Sequence, residues 1–175
     1  MDTATTFDYI IAGGGLAGLT LAWQISKSPL LRDKRVLLID RDAKNTNDRT
    51  WSFWLRSDTP WLKELPLHHS WSRAEIPLRQ QTLEIELDPY RYYTIEGLRF
   101  YTFIAEELAK SKQITRLQAD ILTVLPHAQR VVTNKGDFQF KHYCFKGYFE
   151  AQALQGLAQQ QGPFMWQHFL GWKFG

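Results

Sequence analysis

The stretch FDYIIAGGGLAGLTLAWQI, Phe7 to Ile25, decides the fold. Its first six residues, Phe7 to Ala12, are mostly β-branched or aromatic and stop at Gly13, as a short buried strand does. From Leu16 the apolar period changes. Leu16, Leu19 and Trp23 recur at three- and four-residue spacing, which predicts a helix to about Lys27, ended by Ser28-Pro29. Arg35 to Asp40, RVLLID, then reads as a second apolar strand with an acid at its end. Strand, helix and strand within roughly 35 residues make a β-α-β unit, a parallel pair joined by a right-handed crossover.

The turn inside this unit has chemistry of its own. Gly13, Gly15 and Gly18 satisfy G-x-G-x-x-G, with Gly14 between the first two. Alone the pattern is weak; here a strand precedes it, a helix follows it, and Asp40 closes the next strand. Gly13 permits the tight turn, Gly15 lets the backbone approach a pyrophosphate, and Gly18 lets the helix pack close to the strand. The unpaired N–H groups of Leu16, Ala17 and Gly18, at the positive end of the helix dipole, form an anion seat. Asp40 accepts hydrogen bonds from a ribose hydroxyl. The competing reading is a loop that only turns the chain, with Asp40 a solvated strand-end acid; the complete context favours a dinucleotide site. A carboxylate at this position repels a 2′-phosphate, although Arg41 beside it leaves NADP open. The loop does not separate NAD from FAD. The chain beyond Asp40 does: in place of regular βα repeats it carries a Trp-rich irregular segment and antiparallel strands, which points to FAD.

Composition sets the outer limits. The 175 residues suit a single domain and are 44% apolar and 22% charged, as in ordinary globular proteins. The net charge of +3 is spread over scattered basic residues with no dense Lys/Arg block, so no nucleic-acid partner is expected. The one cysteine, Cys144, cannot form an internal disulfide. No signal peptide is evident, and no apolar run reaches the 18 residues of a membrane span. His68-His69 lacks a third ligand at metal spacing, so no metal site is expected. Seven tryptophans, four of them between Trp51 and Trp71, are the unusual feature.

Further along, Trp71 to Leu78 and Thr82 to Leu87 alternate as antiparallel strands, and Leu98 to Lys110 is a second helix with Leu98, Tyr101, Ile104 and Leu108 on one face. Ile114 to Leu125 is strand-like as a whole. Val131 to Thr133 and Phe138 to Phe140 flank Asn134-Lys-Gly-Asp137, a hairpin turn in which Gly136 takes positive φ. A short helix around Ala151 to Gln161 and an aromatic strand from Phe164 complete the pattern.

Three blocks carry a family resemblance: NDRTWSFW (Asn47 to Trp54), YRYYTIEGLRFYTFI (Tyr90 to Ile104) and WQHFLGW (Trp166 to Trp172). In the order glycine loop, T-W-S-F, Y-x-x-I-x-G-x-x-F-Y and Q-H-F-x-G-W, the chain resembles the lycopene cyclases of carotenoid biosynthesis over essentially its whole length. The resemblance implies an α/β fold, a Rossmann-like FAD/NAD(P)-binding domain with a parallel sheet, plus part of an antiparallel substrate-side sheet. It implies FAD in its reduced form, with electrons from NAD(P)H, and a non-redox, acid-catalysed closure of the ends of lycopene to β-ionone rings through a carbocation. Peripheral association with the cytoplasmic side of a membrane is implied by a substrate that dissolves only in lipid.

The family's carboxylate motif has no counterpart among these residues, and Glu96 and Glu150 do not match it. The sequence therefore predicts a single incomplete flavoprotein domain over residues 1–175, with a substrate-side insertion at about 55–97 and the catalytic acid beyond Gly175, inactive alone. A flavin-dependent monooxygenase or reductase on an apolar substrate, and a non-catalytic nucleotide-binding fragment, are the alternatives. Arg49 is either a ligand of the FAD pyrophosphate or a surface arginine. Ile121 sits where related flavoproteins hold adenine with backbone groups. Trp51, Phe53 and Trp54 are candidates for an aromatic wall, which stabilises a passing cation by about 0.5–2 kcal/mol per ring, or else for core. His168 lies near the flavin or is a satisfied strand histidine.

Overall fold

The computed structural model describes residues 5–147. In chain order these form β1 (Thr5–Ala12), α1 (Leu16–Lys27), β2 (Val36–Asp40), β3 (Thr50–Arg56), β4 (His69–Trp71), β5 (Arg73–Pro77), β6 (Thr82–Glu86), β7 (Tyr90–Glu96), α2 (Gly97–Ala109), β8 (Ile114–Gln118), β9 (Ile121–Leu125), β10 (Arg130–Thr133) and β11 (Gly136–Lys146). The expected β-α-β unit is present: β1 and β2 pair in parallel, Tyr9 to Ala12 against Val36 to Ile39. β8 extends the parallel set beyond β2, and β11 joins β1 on the other side, also parallel.

The central sheet runs β8-β2-β1-β11-β10-β9. Its two outermost strands, β8 and β9, are separated in the chain by only Ala119 and Asp120. A flat six-stranded sheet would hold its edges roughly 24 Å apart, and so short a link reaches only about 10 Å. The sheet must therefore fold back on itself, and the core records the fold. Val124, Val131 and Phe140 of the antiparallel arm pack with Ile10, Leu37 and Ile39 from one face of β1 and β2. The other face, carrying Ile11, Val36 and Leu38, packs against Leu19, Ala22 and Trp23 of α1 and Phe100, Ile104 and Leu108 of α2. Strand alternation thus splits RVLLID between two cores. A register shift between Phe7 and Tyr9, where β11 carries an extra residue, supplies the bend.

The expected single strand over Ile114 to Leu125 is thereby corrected to two strands at opposite edges. Asp120 marks the break: its N–H donates to Asn134 Oδ1 (3.0 Å), and Asn134 Nδ2 donates to Asp120 Oδ2 (2.9 Å). The β10–β11 hairpin forms as expected, with Gly136 at φ 116°. In α2 the buried stripe is Phe100, Tyr101, Ile104 and Leu108, and Leu98 falls outside it. The irregular-looking Trp-rich segment is regular: β3 and β7 pair over seven residues each, and β4 lies on the far side of β7. β5 and β6 form the expected antiparallel pair as a separate hairpin, with Trp71 belonging to β4 instead. The expected tail helix and aromatic strand lie outside the described residues, as do Glu150 and His168. Among the described residues no helix is long and apolar enough to cross a membrane.

Asp8 ties the two parallel strands together. It is buried, its Oδ2 accepts the Arg35 N–H (2.8 Å), and its Oδ1 meets Lys141 Nζ from the bulged part of β11 (3.3 Å). The Arg35 N–H, against an opposing effect of burial and with help from Lys141, holds this carboxyl below its ordinary 3.8. A depressed carboxylate contributes stability that is present above its unfolded pKa and is lost as pH falls through the folded one. The urea midpoint of wild type should therefore drop on acidification below about pH 4, and that of Asp8→Asn should drop less. Equal slopes would remove Asp8 from the acid response. Phe100, fully buried and edge-on to Trp51 (5.5 Å), anchors α2. Phe100→Ala should lower the unfolding free energy by about 3–5 kcal/mol in chemical denaturation.

Candidate functional site

The glycine turn is clamped from below by β2. Gly13 takes φ 111° and its N–H donates to Ile39 O (2.8 Å); the Gly14 N–H donates to Asp40 Oδ2 (2.5 Å). Gly15 is the N-cap of α1, which has no side-chain cap and no acid in its first turn. Such a helix start keeps its orphan N–H groups and its positive end free for an anion. Leu16 is half-buried and Ala17 exposed, so the first turn reaches the surface.

The glycines are not equivalent. A Cβ on Gly18 would stand 1.9 Å from Gly13 O, so helix and turn touch backbone to backbone. A Cβ on Gly14 would stand 3.0 Å from Asp40 Cβ. A Cβ on Gly15 would meet nothing within 4 Å. Bare backbone that faces open space at an uncapped helix start fits a phosphate-bearing group, and the residues present are compatible with a dinucleotide.

Asp40 is the hub of the strand ends. Besides the Gly14 N–H it accepts the Asp42 N–H (2.8 Å) and pairs with Lys44 (3.1 Å), while its carbonyl accepts the Ala119 N–H (3.0 Å). Two clefts flank the turn after it. One, of about 280 Å³, is lined by Gly14, Leu19, Asp40, Lys44 and Arg116, among others. The other, of about 370 Å³, is lined by Arg41, Lys44, Asp48 and Gln118, among others. Both lie beyond the carboxyl ends of β2 and β8, the usual ligand position on an open parallel sheet. Arg41 is exposed, and its carbonyl accepts Gln118 Nε2 (3.0 Å). Ile121 opens β9 opposite Thr133, two residues beyond the Ala119 contact to Asp40.

Arg49 stands at the start of β3. Its carbonyl accepts the Gly97 N–H (2.7 Å), and its exposed guanidinium lies 3.2 Å from Asp48 Oδ2. Asp48 in turn accepts the Tyr101 hydroxyl (2.9 Å), and Asn47 Oδ1 accepts the Leu98 N–H (3.2 Å). Three consecutive residues thus clasp the first turns of α2. Burial works against the Asp48 charge, yet Tyr101 and Arg49 hold its carboxyl below the usual range. Burial and the bond to Asp48 push the Tyr101 hydroxyl far up, so it stays a donor. Much of the NDRT block is therefore structural, a role its polar, turn-prone composition did not signal.

The three candidate wall aromatics are not brought together. Trp51 and Phe53 face the helices, with Trp51 edge-on to Phe100 and Tyr101 and Phe53 stacked on Tyr93 (5.8 Å). Trp54 points to the opposite face and is 55% exposed. There it begins a row across three strands, with Tyr92 at 4.7 Å and Trp71 a further 5.9 Å on. Sequence reasoning missed Tyr92 and Trp71 as its neighbours because the row depends on cross-strand register, which no local pattern encodes.

The contrast between Gly15 and Gly18 gives a direct test. Gly15→Ala should leave the melting temperature near wild type and abolish adenine-dinucleotide binding in a fluorescence titration. Gly18→Ala should destabilise the fold itself, with a drop of several degrees in melting temperature. Unchanged binding in Gly15→Ala would take the turn out of the site.

Comparison with known proteins agrees with the geometry. The sequence profile of the family described as lycopene cyclase protein matches residues 8–174. A lycopene beta-cyclase of Pseudescherichia vulneris is 28% identical over 133 residues, 73% of this chain and 32% of the relative. A glucose oxidase of Penicillium chrysogenum is 46% identical over 43 residues, 25% of this chain and 7% of the oxidase. The chain thus spans a third or less of the curated relatives it matches. Among solved structures, p-nitrophenol 4-monooxygenase PnpA of Pseudomonas putida DLL-E4 superposes with a TM-score of 0.62 at 13% identity, covering 86% of this chain and 43% of that one. PqsL of Pseudomonas aeruginosa, described as a probable FAD-dependent monooxygenase, gives 0.59 at 14% identity over 79% and 42%. These likenesses establish the Rossmann-like α/β fold, and with a profile that runs through the glycine turn, the Asn47–Arg49 clasp and both helices, the chain belongs to the lycopene cyclase family.

Proposed function

We propose that this chain is the FAD-binding part of a lycopene β-cyclase, an enzyme that closes the ends of an acyclic carotenoid without net oxidation. The observation that carries this reading is the family match across residues 8–174. The bare turn at Gly13 to Gly18 and the uncapped start of α1 hold the pyrophosphate, and the Asp40 carboxylate takes the adenosine ribose. FAD supports the cyclisation in its reduced form, with electrons from NAD(P)H. A proton added to the polyene end generates a cation, the ring closes on it, and loss of a proton leaves the double bond of the product. In this reading the acid comes from a part of the enzyme outside these residues, and the protein works against the cytoplasmic face of a membrane, where its substrate is dissolved.

The second reading is a flavin-dependent monooxygenase on an apolar substrate, since solved monooxygenases share this fold. The two differ in stoichiometry, since a hydroxylase consumes one NAD(P)H per product and a cyclisation consumes none. Expressed at its full natural length in lycopene-accumulating cells, the protein should carry flavin and convert red lycopene to orange cyclised product without substrate-linked NAD(P)H consumption. Flavin with stoichiometric NAD(P)H use and no ring formation would support the hydroxylase reading instead. Absence of bound flavin would overturn both.

A further inference from the structure

Lys44 is unusual in three independent ways. Its side chain is only 9% exposed, although lysine is among the side chains least often buried. Its φ is 57°, a left-handed conformation that a residue with a Cβ rarely adopts and that persists where the surroundings require it. And it lines both clefts, the one beside Gly14 and Asp40 and the one beside Arg41 and Asp48. The unfavourable backbone turns a long cation inward at the place where the strand-end acid stands.

We infer that Lys44 is a positioning residue for the adenosine half of the cofactor, one that holds the Asp40 carboxylate with a single acceptor left for the ribose; the inference rests on the reading that this cleft binds FAD. A carboxylate offers about four lone-pair positions. Asp40 Oδ1 receives the Asp42 N–H (2.8 Å) and is ion-paired with Lys44 Nζ (3.1 Å), which together occupy its approaches. Oδ2 receives the Gly14 N–H (2.5 Å) and keeps one position. The ribose hydroxyl is thereby directed to the oxygen next to the glycine turn, on the side where the pyrophosphate is held. Lys44 Nζ also lies 3.4 Å from Asp42 Oδ2 and 5.5 Å from the centre of the Tyr101 ring, which restrict its own movement. Without the ammonium, the Asp40 carboxylate loses its cation, and Oδ1 is held by the Asp42 N–H alone, with a position open to another donor.

The test compares FAD with FMN, which lacks the adenosine. Titrated into the full natural chain as apoprotein and followed by flavin fluorescence, Lys44→Met should bind FAD about tenfold more weakly, with FMN affinity unchanged. Lys44→Arg, which keeps the cation, should recover most of the loss. Lys44→Gly should share the FAD loss while melting at or above the wild-type temperature, because glycine accepts the positive φ without strain. Wild-type FAD affinity in folded Lys44→Met and Lys44→Gly would overturn the inference, and equal losses for FAD and FMN would overturn it by marking a general structural role. A wild-type protein without FAD affinity would overturn the underlying reading, and this inference with it.

Discussion

The whole arrangement at the carboxyl ends of β1 and β2 depends on how closely α1 approaches the end of β1. At Gly18 the helix lies against the Gly13 carbonyl with no room for a methyl group between them. That approach aims the start of α1 over the strand ends. It also puts Gly13 and Gly14 within reach of β2, where Ile39 O and Asp40 Oδ2 take their N–H groups. Two backbone donors of a buried turn are thereby satisfied, and leaving either unpaired would cost about 1–3 kcal/mol. The turn that presents bare backbone outward is thus the same turn whose inner donors fasten it to the neighbouring strand. Its shape is set by these internal bonds, so the turn is preorganised.

The folding back of the sheet serves the same corner. Because only Ala119 and Asp120 link β8 to β9, the chain leaves the parallel set beside Asp40 and enters the antiparallel arm immediately. The Ala119 N–H pairs with the Asp40 carbonyl at that crossing (3.0 Å). The arm then covers the face of β1 and β2 that the helices leave open, which is why Leu37 and Ile39 are as buried as Val36 and Leu38. A strand buried on both faces shows no alternation, and RVLLID has none.

How much the sequence made legible depends on the range of the forces involved. The β-α-β unit could be read within two residues of its bounds because apolar periodicity, the glycines and Ser28-Pro29 are local signals. The hairpin at Gly136 was legible for the same reason. Ile114 to Leu125 misled because no Gly or Pro separates its two strands, and the break between them is made by Asn134, outside the segment. β3 was read as irregular because its inward set, Trp51, Phe53 and Leu55, alternates with Ser52 and the equally bulky Trp54, which blurs the period. At the strand ends, the strand, turn and helix around Gly13 to Gly18 and the place of Asp40 at the end of β2 were legible from spacing. Lys44 was not: its position comes from a positive φ and a buried ion pair, and neither leaves a pattern in the sequence.

The family blocks divide along structural lines. In Asn47 to Trp54 the polar half binds α2, through Leu98, Tyr101 and Gly97, and the aromatic half forms β3, whose inward rings pack on the same helix. The block from Tyr90 supplies the complement: β7 pairs with β3, Gly97 lets the Arg49 carbonyl approach to where its Cβ would stand at 2.8 Å, and Phe100 and Tyr101 receive Trp51. The two blocks are thus the halves of one joint, which fastens the antiparallel sheet to α2 and the helical layer. Asp48 belongs to that joint and also lines the larger cleft. Tyr101, which donates to Asp48, lies beneath the Lys44 ammonium that reaches Asp40. The antiparallel sheet and the strand-end acid are therefore joined by a chain of direct contacts, Trp51 to Tyr101 to Lys44 to Asp40. A substitution at Trp51 that displaces Tyr101 would reach the cleft beside Asp40 through this chain, so an effect of a Trp51 variant on that cleft is not evidence that Trp51 lines it.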